Sequence, residues 1–268
     1  MKSAVIIGGS GGIGLTLAHA LEDYDKVYLL DIKQPDIVLP DTFVYRKFDV
    51  TDIDYDFLKS IRDEVKMLII TAGFGHLQLF KDINDGEIEK SFAVNTVGVL
   101  KAIRFFYPNI MNKDAEFQTI VMVSISGIVS SPFFSIYSAT KAALHRFIES
   151  VNVELEKGGS VNRILEVSPG SINNTGFNGG TTDIDANMNL AREILVKSKA
   201  KEMLFIPQYE EVFKGVINRY QSNPHKFGLE SYQYKIDSGR IKQKSVGGVI
   251  HCELIRYEMS SFAKYLVA

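Results

Sequence analysis

The chain is short of cysteine, of net charge and of long apolar runs, and each shortage removes a class of protein. A single cysteine, Cys252, cannot build an internal disulfide framework. A formal net charge of −2 with no long basic block leaves no electrostatic footprint for nucleic acid. No apolar run approaches the ~20 residues of a membrane helix, and Met1-Lys2-Ser3 runs into a strand pattern rather than a signal peptide. The expectation is a cytoplasmic protein with neither nucleic acid nor membrane as partner. Internal repeats and low-complexity segments are also missing. His251, Cys252 and Glu253 are consecutive and would point in different directions on any regular element, so no metal site is expected.

What is present suggests one large α/β domain. The chain has 268 residues, 46% of them apolar, enough for a sizeable core. Apolar strand patterns recur at Ala4–Ile7, Val27–Leu30, Phe43–Phe48, Met67–Thr71, Thr119–Ser124 and Arg163–Ser168. Helical patterns fill most of the gaps, at Ile13–Glu22, Ile53–Arg62, Glu87–Met111 and Ile136–Glu156. Such alternation predicts right-handed βαβ units and a doubly wound parallel sheet covered on both faces. After residue 170 the rhythm breaks. Asn173–Gly180 has the composition of a loop able to close over a ligand, Asp183–Lys201 and Tyr209–Tyr220 look helical, and Pro224 ends the second. Residues 171–225 are therefore expected to form a substrate loop and lid helices, and 226–268 show no clear element.

The first strand leads into Gly8-Gly9-Ser10-Gly11-Gly12-Ile13-Gly14, followed by a helix. Glycine allows a tight turn and lets the backbone approach a pyrophosphate seated on the positive end of that helix. A plain strand-to-helix turn would also explain glycines. Here the loop is followed by an acidic residue, Asp31, seventeen residues beyond Gly14, at the end of the second strand. That is close to the spacing at which a carboxylate reaches ribose hydroxyls. The carboxylate would repel a 2′-phosphate, so NAD is favoured over NADP; Lys33 is the one nearby base that could reverse this. Asp49 and Val50, at the end of the third strand, are candidates for contact with the adenine, or alternatively for the start of the next helix.

Tyr137 and Lys141 stand four residues apart, and Ser124 lies thirteen residues upstream at the end of an apolar strand pattern. Tyr55 and Lys59 repeat the spacing, but Thr42, thirteen residues before them, sits in a loop with no strand leading to it. Only Ser124, Tyr137 and Lys141 could bring a phenol, a cation and a hydroxyl to one carbonyl or alcohol oxygen.

Together these residues resemble the short-chain dehydrogenase/reductase family. The glycine loop resembles its Gly-x-x-x-Gly-x-Gly form at Gly8, Gly12 and Gly14. Thr71-Ala72-Gly73 resembles its Asn-Asn-Ala-Gly segment, with Ile70 and Thr71 in place of the two asparagines. Asn95 matches the family's helix asparagine, Ser124, Tyr137 and Lys141 complete the tetrad, and Ser168-Pro169-Gly170 matches the turn after the sixth strand. The match covers residues 3–175. It implies a Rossmann-type sheet of about seven strands in the short, single-domain branch, with Ala72, Gly73, Pro169 and Gly170 among the cofactor-binding residues. The family's closing Asp-Gly-Gly has only a faint echo in Gly247-Gly248.

By this resemblance Tyr137 is the general acid or base, Lys141 lowers its pKa and binds the nicotinamide ribose, Ser124 holds the substrate oxygen, and Asn95 holds a water that links Lys141 to solvent. The expected activity is NAD-dependent interconversion of a secondary alcohol and a ketone. An epimerase or dehydratase would use the same Tyr–Lys pair, and a non-catalytic NAD(H)-responsive binding protein would use the fold alone. Ser126, Phe133, Phe134 and Phe177 are the candidate substrate-lining residues. A homodimer or homotetramer is implied by the family, with the apolar tail Phe262–Ala268 as a possible addition to the contact.

Overall fold

A computed structural model describes residues 1–254 apart from 176, 178, 179, 240, 247 and 248; residues 242–246 and 249–254 are described in backbone alone. Strand β1 (Ser3–Ile7) is buried along its whole length, as a central parallel strand must be when helices cover both faces. The chain continues through α1 (Gly12–His19), β2 (Lys26–Asp31), β3 (Phe43–Lys47), α2 (Tyr55–Ile61) and β4 (Val65–Ile70). Then come α3 (Asp85–Phe92), α4 (Val99–Ile110), β5 (Gln118–Met122), α5 (Ser135–Lys157) and β6 (Ile164–Val167). The remainder is α6 (Ile184–Lys199), β7 (Leu204–Phe205), α7 (Lys214–Ser222), α8 (Pro224–Asp237) and an antiparallel hairpin of β8 (Ile241–Val246) with β9 (Val249–Leu254).

Seven strands form one parallel sheet in the order β3-β2-β1-β4-β5-β6-β7. The chain winds outward from β1 to β3, returns to place β4 beside β1, and winds outward the other way to β7. That reversal opens a crevice at the carboxyl ends of β1 and β4, where such sheets bind ligands.

Side-chain alternation along β1 divides the core. Val5 and Ile7 join Ile103 and Phe106 of α4 and Leu144 and Ile148 of α5 on one face. Ala4 and Ile6 join Leu15 and Leu17 of α1 and Ala191 and Ile194 of α6 on the other. A third cluster, containing Ile125, Phe213, Val216 of α7 and Phe227 of α8, packs beyond the strand ends.

All six strands expected from the sequence are present, with ends shifted by a few residues. The seventh, β7, has two residues, too few to write a periodic pattern. The expected helix Glu87–Met111 is α3 and α4 joined by a π turn at Ala93–Gly98, a wider turn that carries Asn95 inward. Pro224 does end α7, but it also opens α8, because the first turn of a helix tolerates a missing N–H and a fixed φ. Asn223 caps it by accepting from Lys226 N at 2.9 Å. Helix α8 escaped the sequence because its buried positions are Phe227 and Lys235, which make no apolar stripe. Gly247-Gly248 and the tail 262–268 lie outside the described residues, as do the side chains of His251, Cys252 and Glu253.

Phe106 is fully buried between Phe105 (ring centroids 5.0 Å apart) and Phe117 (6.0 Å). Phe106→Ala is expected to cost about 3–5 kcal/mol, measured by urea unfolding followed by far-UV circular dichroism. A loss below about 1 kcal/mol would show that α4 does not anchor this face of the core.

Candidate active site

Beyond Ile7 the chain turns through Gly8 at φ +89°, a conformation that favours glycine. A Cβ on Gly8 would collide with the Ala72 backbone, and one on Gly14 would overlap the Gly8 carbonyl. Thr71 locks this approach, its Oγ1 donating to the Gly8 carbonyl at 2.8 Å. Thus Thr71, standing where the family has asparagine, braces the glycine loop from the end of β4. The first bond within α1 runs from Leu15 N to Gly11 O. The N–H groups of Gly12, Ile13 and Gly14 therefore stand at the positive end of the helix, with no partner inside it. Gly12 N donates to Thr182 Oγ1 at 2.7 Å.

Asp31 ends β2, its carboxylate accepting from Ser10 N (3.1 Å) and Lys33 N (3.4 Å). Asp49 accepts from Thr51 N (2.8 Å) and Oγ1 (2.7 Å); these hydrogen bonds hold its pKa below the ordinary value. It does not cap α2, which is capped by Asp54 accepting from Phe57 N. Asp49 and Val50 both line the crevice.

At the other end, β5 delivers Ser124 and α5 delivers Tyr137 and Lys141. Ser124 Oγ accepts from Ser126 N at 3.1 Å and stands near enough to the Tyr137 phenol to favour its charged form. Burial pushes the phenol up to about 12, with Ser124 opposing the rise. Lys141 is buried; its Nζ donates to the Met122 carbonyl at 2.9 Å, and burial lowers its pKa to about 8. In the protein alone, then, burial outweighs the expected pull of Lys141 on the phenol. At neutral pH Tyr137 is a protonated phenol, the form needed to give a proton to a carbonyl oxygen.

Asn95 is fully buried and grips the loop after β4. Its Oδ1 accepts from Phe74 N (2.9 Å), and its Nδ2 donates to Phe74 O (2.8 Å) and Thr140 Oγ1 (3.2 Å). This side chain acts as a brace between that loop and the turn of α5 that carries Lys141. Below them His145, one turn beyond Lys141, meets the buried Glu166 carboxylate at 2.9 and 3.0 Å, and Ser168 Oγ donates to the same group at 2.6 Å. The Glu166 hydrogen bond raises the His145 pKa and fastens α5 to the strand that leads into Pro169-Gly170.

A cleft of about 940 Å³ joins both ends, lined by Gly8, Gly11–Gly14, Asp31, Ala72, Gly73, Ser124, Ser126, Tyr137, Lys141, Pro169 and Gly170. Phe134 and Phe177 reach the Tyr137 ring at 5.4 and 5.5 Å. Phe133 instead is buried and stacks on Tyr232 of α8 at 4.5 Å. Thr182 and Lys235 also line the cleft and were missed by sequence reasoning. Thr182 meets Gly12 across 170 residues, and Lys235 lies on α8. Neither position carries a local signal.

A nicotinamide dinucleotide fits these residues. The glycine turn has backbone where side chains would collide, the Asp31 carboxylate lines the same cleft at the end of β2, and the Lys141 ammonium is buried facing a neutral carbonyl.

Comparison with known proteins agrees. A family model described as short chain dehydrogenase matches residues 2–184. An uncharacterized oxidoreductase of Staphylococcus saprophyticus is 30% identical over 190 residues, covering 64% of this chain and 78% of that one. A short chain dehydrogenase from Burkholderia cenocepacia, solved in complex with NADP, superposes with TM-score 0.67 at 23% identity, over 85% of this chain and 99% of that one. Another from Leptospira borgpetersenii, with bound NAD+, gives TM-score 0.62 at 21% identity, over 76% and 90%. The structural likenesses speak to the fold.

The lowered Lys141 pKa has a sign that can be tested. The unfolded lysine binds protons more tightly than the folded one, so folding stability rises with pH between about 8 and 10.5. The stability difference between wild type and Lys141→Met is expected to shift in favour of wild type across that window, by denaturant unfolding at stepped pH. A difference that stays flat would contradict burial as the force acting on Lys141.

Proposed function

This chain belongs to the short-chain dehydrogenase/reductase family, and from that premise we propose that it interconverts a secondary alcohol and a ketone with NAD as cofactor. The observation that carries the reading is that Ser124, Tyr137 and the buried Lys141 line one cleft, with Lys141 one helical turn beyond Tyr137. The cleft that contains them begins at the glycine turn. A nicotinamide held in that cleft by the glycine turn and Lys141 would supply or accept the hydride. In reduction, Ser124 donates to the substrate oxygen and holds it beside Tyr137, which gives that oxygen its proton; in oxidation Tyr137 takes the proton back. Lys141 supplies positive charge that offsets a phenolate as it forms.

NAD is supported by the Asp31 carboxylate, fixed on Ser10 N where a 2′-phosphate would meet negative charge. Because one structural neighbour holds NADP and another NAD+, the test needs both cofactors. Phe134 and Phe177 flank Tyr137 and support an apolar carbonyl compound as substrate. Phe177, in the loop whose composition suits a cover over substrate, meets the Tyr137 ring and supports the same reading.

The experiment follows nicotinamide absorbance with NAD and a panel of secondary alcohols, then NADH with the matching ketones, with NADP and NADPH in parallel. Tyr137→Phe is expected to bind NADH as wild type does and to lose about 10²–10⁴-fold in kcat. Undiminished turnover in that variant would remove Tyr137 from the chemistry, and faster turnover with NADPH would overturn the reading of Asp31.

A further inference from the structure

The turn from Ser131 to Phe134 brings a polar and an apolar side chain to the cleft. Phe134 N donates to Ser131 O at 3.0 Å, with Pro132 second in the turn and Phe133 third at φ +68°. Proline second and a positive φ third is the type II pattern. Tyr232 of α8 stacks on the Phe133 ring at 4.5 Å and holds this unusual residue in place. Ser131 and Phe134, the two ends of the turn, both line the cleft.

Lys235 brings a charge to the same place. It belongs to the last turn of α8, where the negative end of a helix favours a cation, and is 6% exposed. Its Nζ donates to Ser131 Oγ and to the Pro132 carbonyl, both at 2.7 Å, and lies 5.7 Å from the centre of the Phe134 ring. The same ring meets Tyr137 at 5.4 Å. A hydroxyl that accepts from an ammonium keeps its own proton to donate. Charge along the cleft is divided. Among the described residues, the acidic side chains that line it are Asp31, which ends β2, and Asp49, just past β3. At the Tyr137 end the lining ammonium groups are Lys141 and Lys235. A positive wall in a confined cleft draws a negative group.

Resting on the dehydrogenase reading above, we propose that Ser131 and Lys235 form a subsite for an oxyanion of the substrate, a carboxylate or a phosphate, one aromatic ring away from the reacting carbon. The substrate is then amphipathic. Its carbonyl or alcohol meets Ser124 and Tyr137, its apolar part lies along Phe134, and its anionic end takes the Ser131 proton beside the Lys235 ammonium. Hydrogen bonds to a charged oxygen exceed the ordinary strength, so this end fixes which carbon is presented to Tyr137.

The test first saturates the protein with NADH or NADPH, whichever binds tighter, which keeps free anions off the helix end of α1. Hexanoate, hexyl phosphate and the neutral hexanamide are then titrated by calorimetry. At least one anion is expected to bind wild type about tenfold or more tighter than hexanamide, and the tighter anion names the oxyanion of the substrate. Ser131→Ala and Lys235→Gln are expected to remove that preference and Ser131→Thr to keep it, with hexanamide affinity unchanged. Anions that bind wild type no better than hexanamide overturn the proposal, as does a preference that survives both Ser131→Ala and Lys235→Gln. Variants that lose hexanamide as much as the anions overturn it too, because the turn is then merely structural. If Lys235→Gln misfolds, Ser131→Ala decides alone, since the Pro132 carbonyl still holds Lys235. Turnover of the ketone panel, followed in parallel, separates the two readings. Ketone reduced without anion preference overturns only the subsite. A protein that binds neither cofactor, or binds the anions and reduces no ketone, overturns the dehydrogenase reading and the assignment of the anion to its substrate.

Discussion

The site depends on two backbones approaching more closely than side chains allow. Gly8 and Gly14 let the turn after β1 press against Ala72 at the end of β4, and Thr71 fixes the approach with a bond to the Gly8 carbonyl. Because β1 and β4 are neighbours at the point where the sheet reverses direction, this contact sets the crevice. The start of α1 is aimed into it as a consequence. A side chain at either glycine would separate the elements and misplace every donor of the helix end.

The opposite wall is held by buried polar groups, which act over short distances but tolerate little displacement. Asn95 satisfies both backbone groups of Phe74 and reaches Thr140. His145, Glu166 and Ser168 tie α5 to β6. Leaving any of these groups unpaired costs about 1–3 kcal/mol, so the loop after β4, the helix bearing Tyr137 and Lys141, and the turn at Pro169 are set relative to one another. Lys141 sits inside this frame with a carbonyl as its acceptor, and burial of its charge is sustained by the surrounding packing rather than by a carboxylate. The frame also explains why Tyr137 keeps its proton in the protein alone: the surroundings resist charge on both members of the pair.

Much of this was legible in the sequence, and what escaped it has physical causes. Strands buried on both faces write continuous apolar runs, so six of seven were visible; β7, with two residues, writes nothing. The glycine turn, Asp31, Ser124, Tyr137 and Lys141 are local in sequence and keep fixed spacings from their elements. Phe133 and Phe134 could not be told apart, because adjacent residues on an irregular turn diverge according to backbone angles; Phe133 takes φ +68°. Thr182 and Lys235 act across 170 and about a hundred residues, where no periodicity connects the partners. The part expected of Asn95 came from resemblance, whereas its grip on Phe74 depends on a π turn that no residue pattern announces.

That division has a consequence for specificity. The family match ends at residue 184, and every group assigned to hydride and proton transfer lies before it. The turn from Ser131 to Phe134 is fastened from beyond that limit. Tyr232 of α8 stacks on Phe133, and Lys235 Nζ donates to Ser131 Oγ and the Pro132 carbonyl, both at 2.7 Å. A bulky residue at positive φ is strained and persists only where its surroundings hold it; here α8 does so. Phe134, the next residue, is thereby set against Tyr137. On the proposed chemistry, substrate choice can therefore vary while the matched part is kept, because the ring beside the Tyr137 phenol is positioned by a helix outside it.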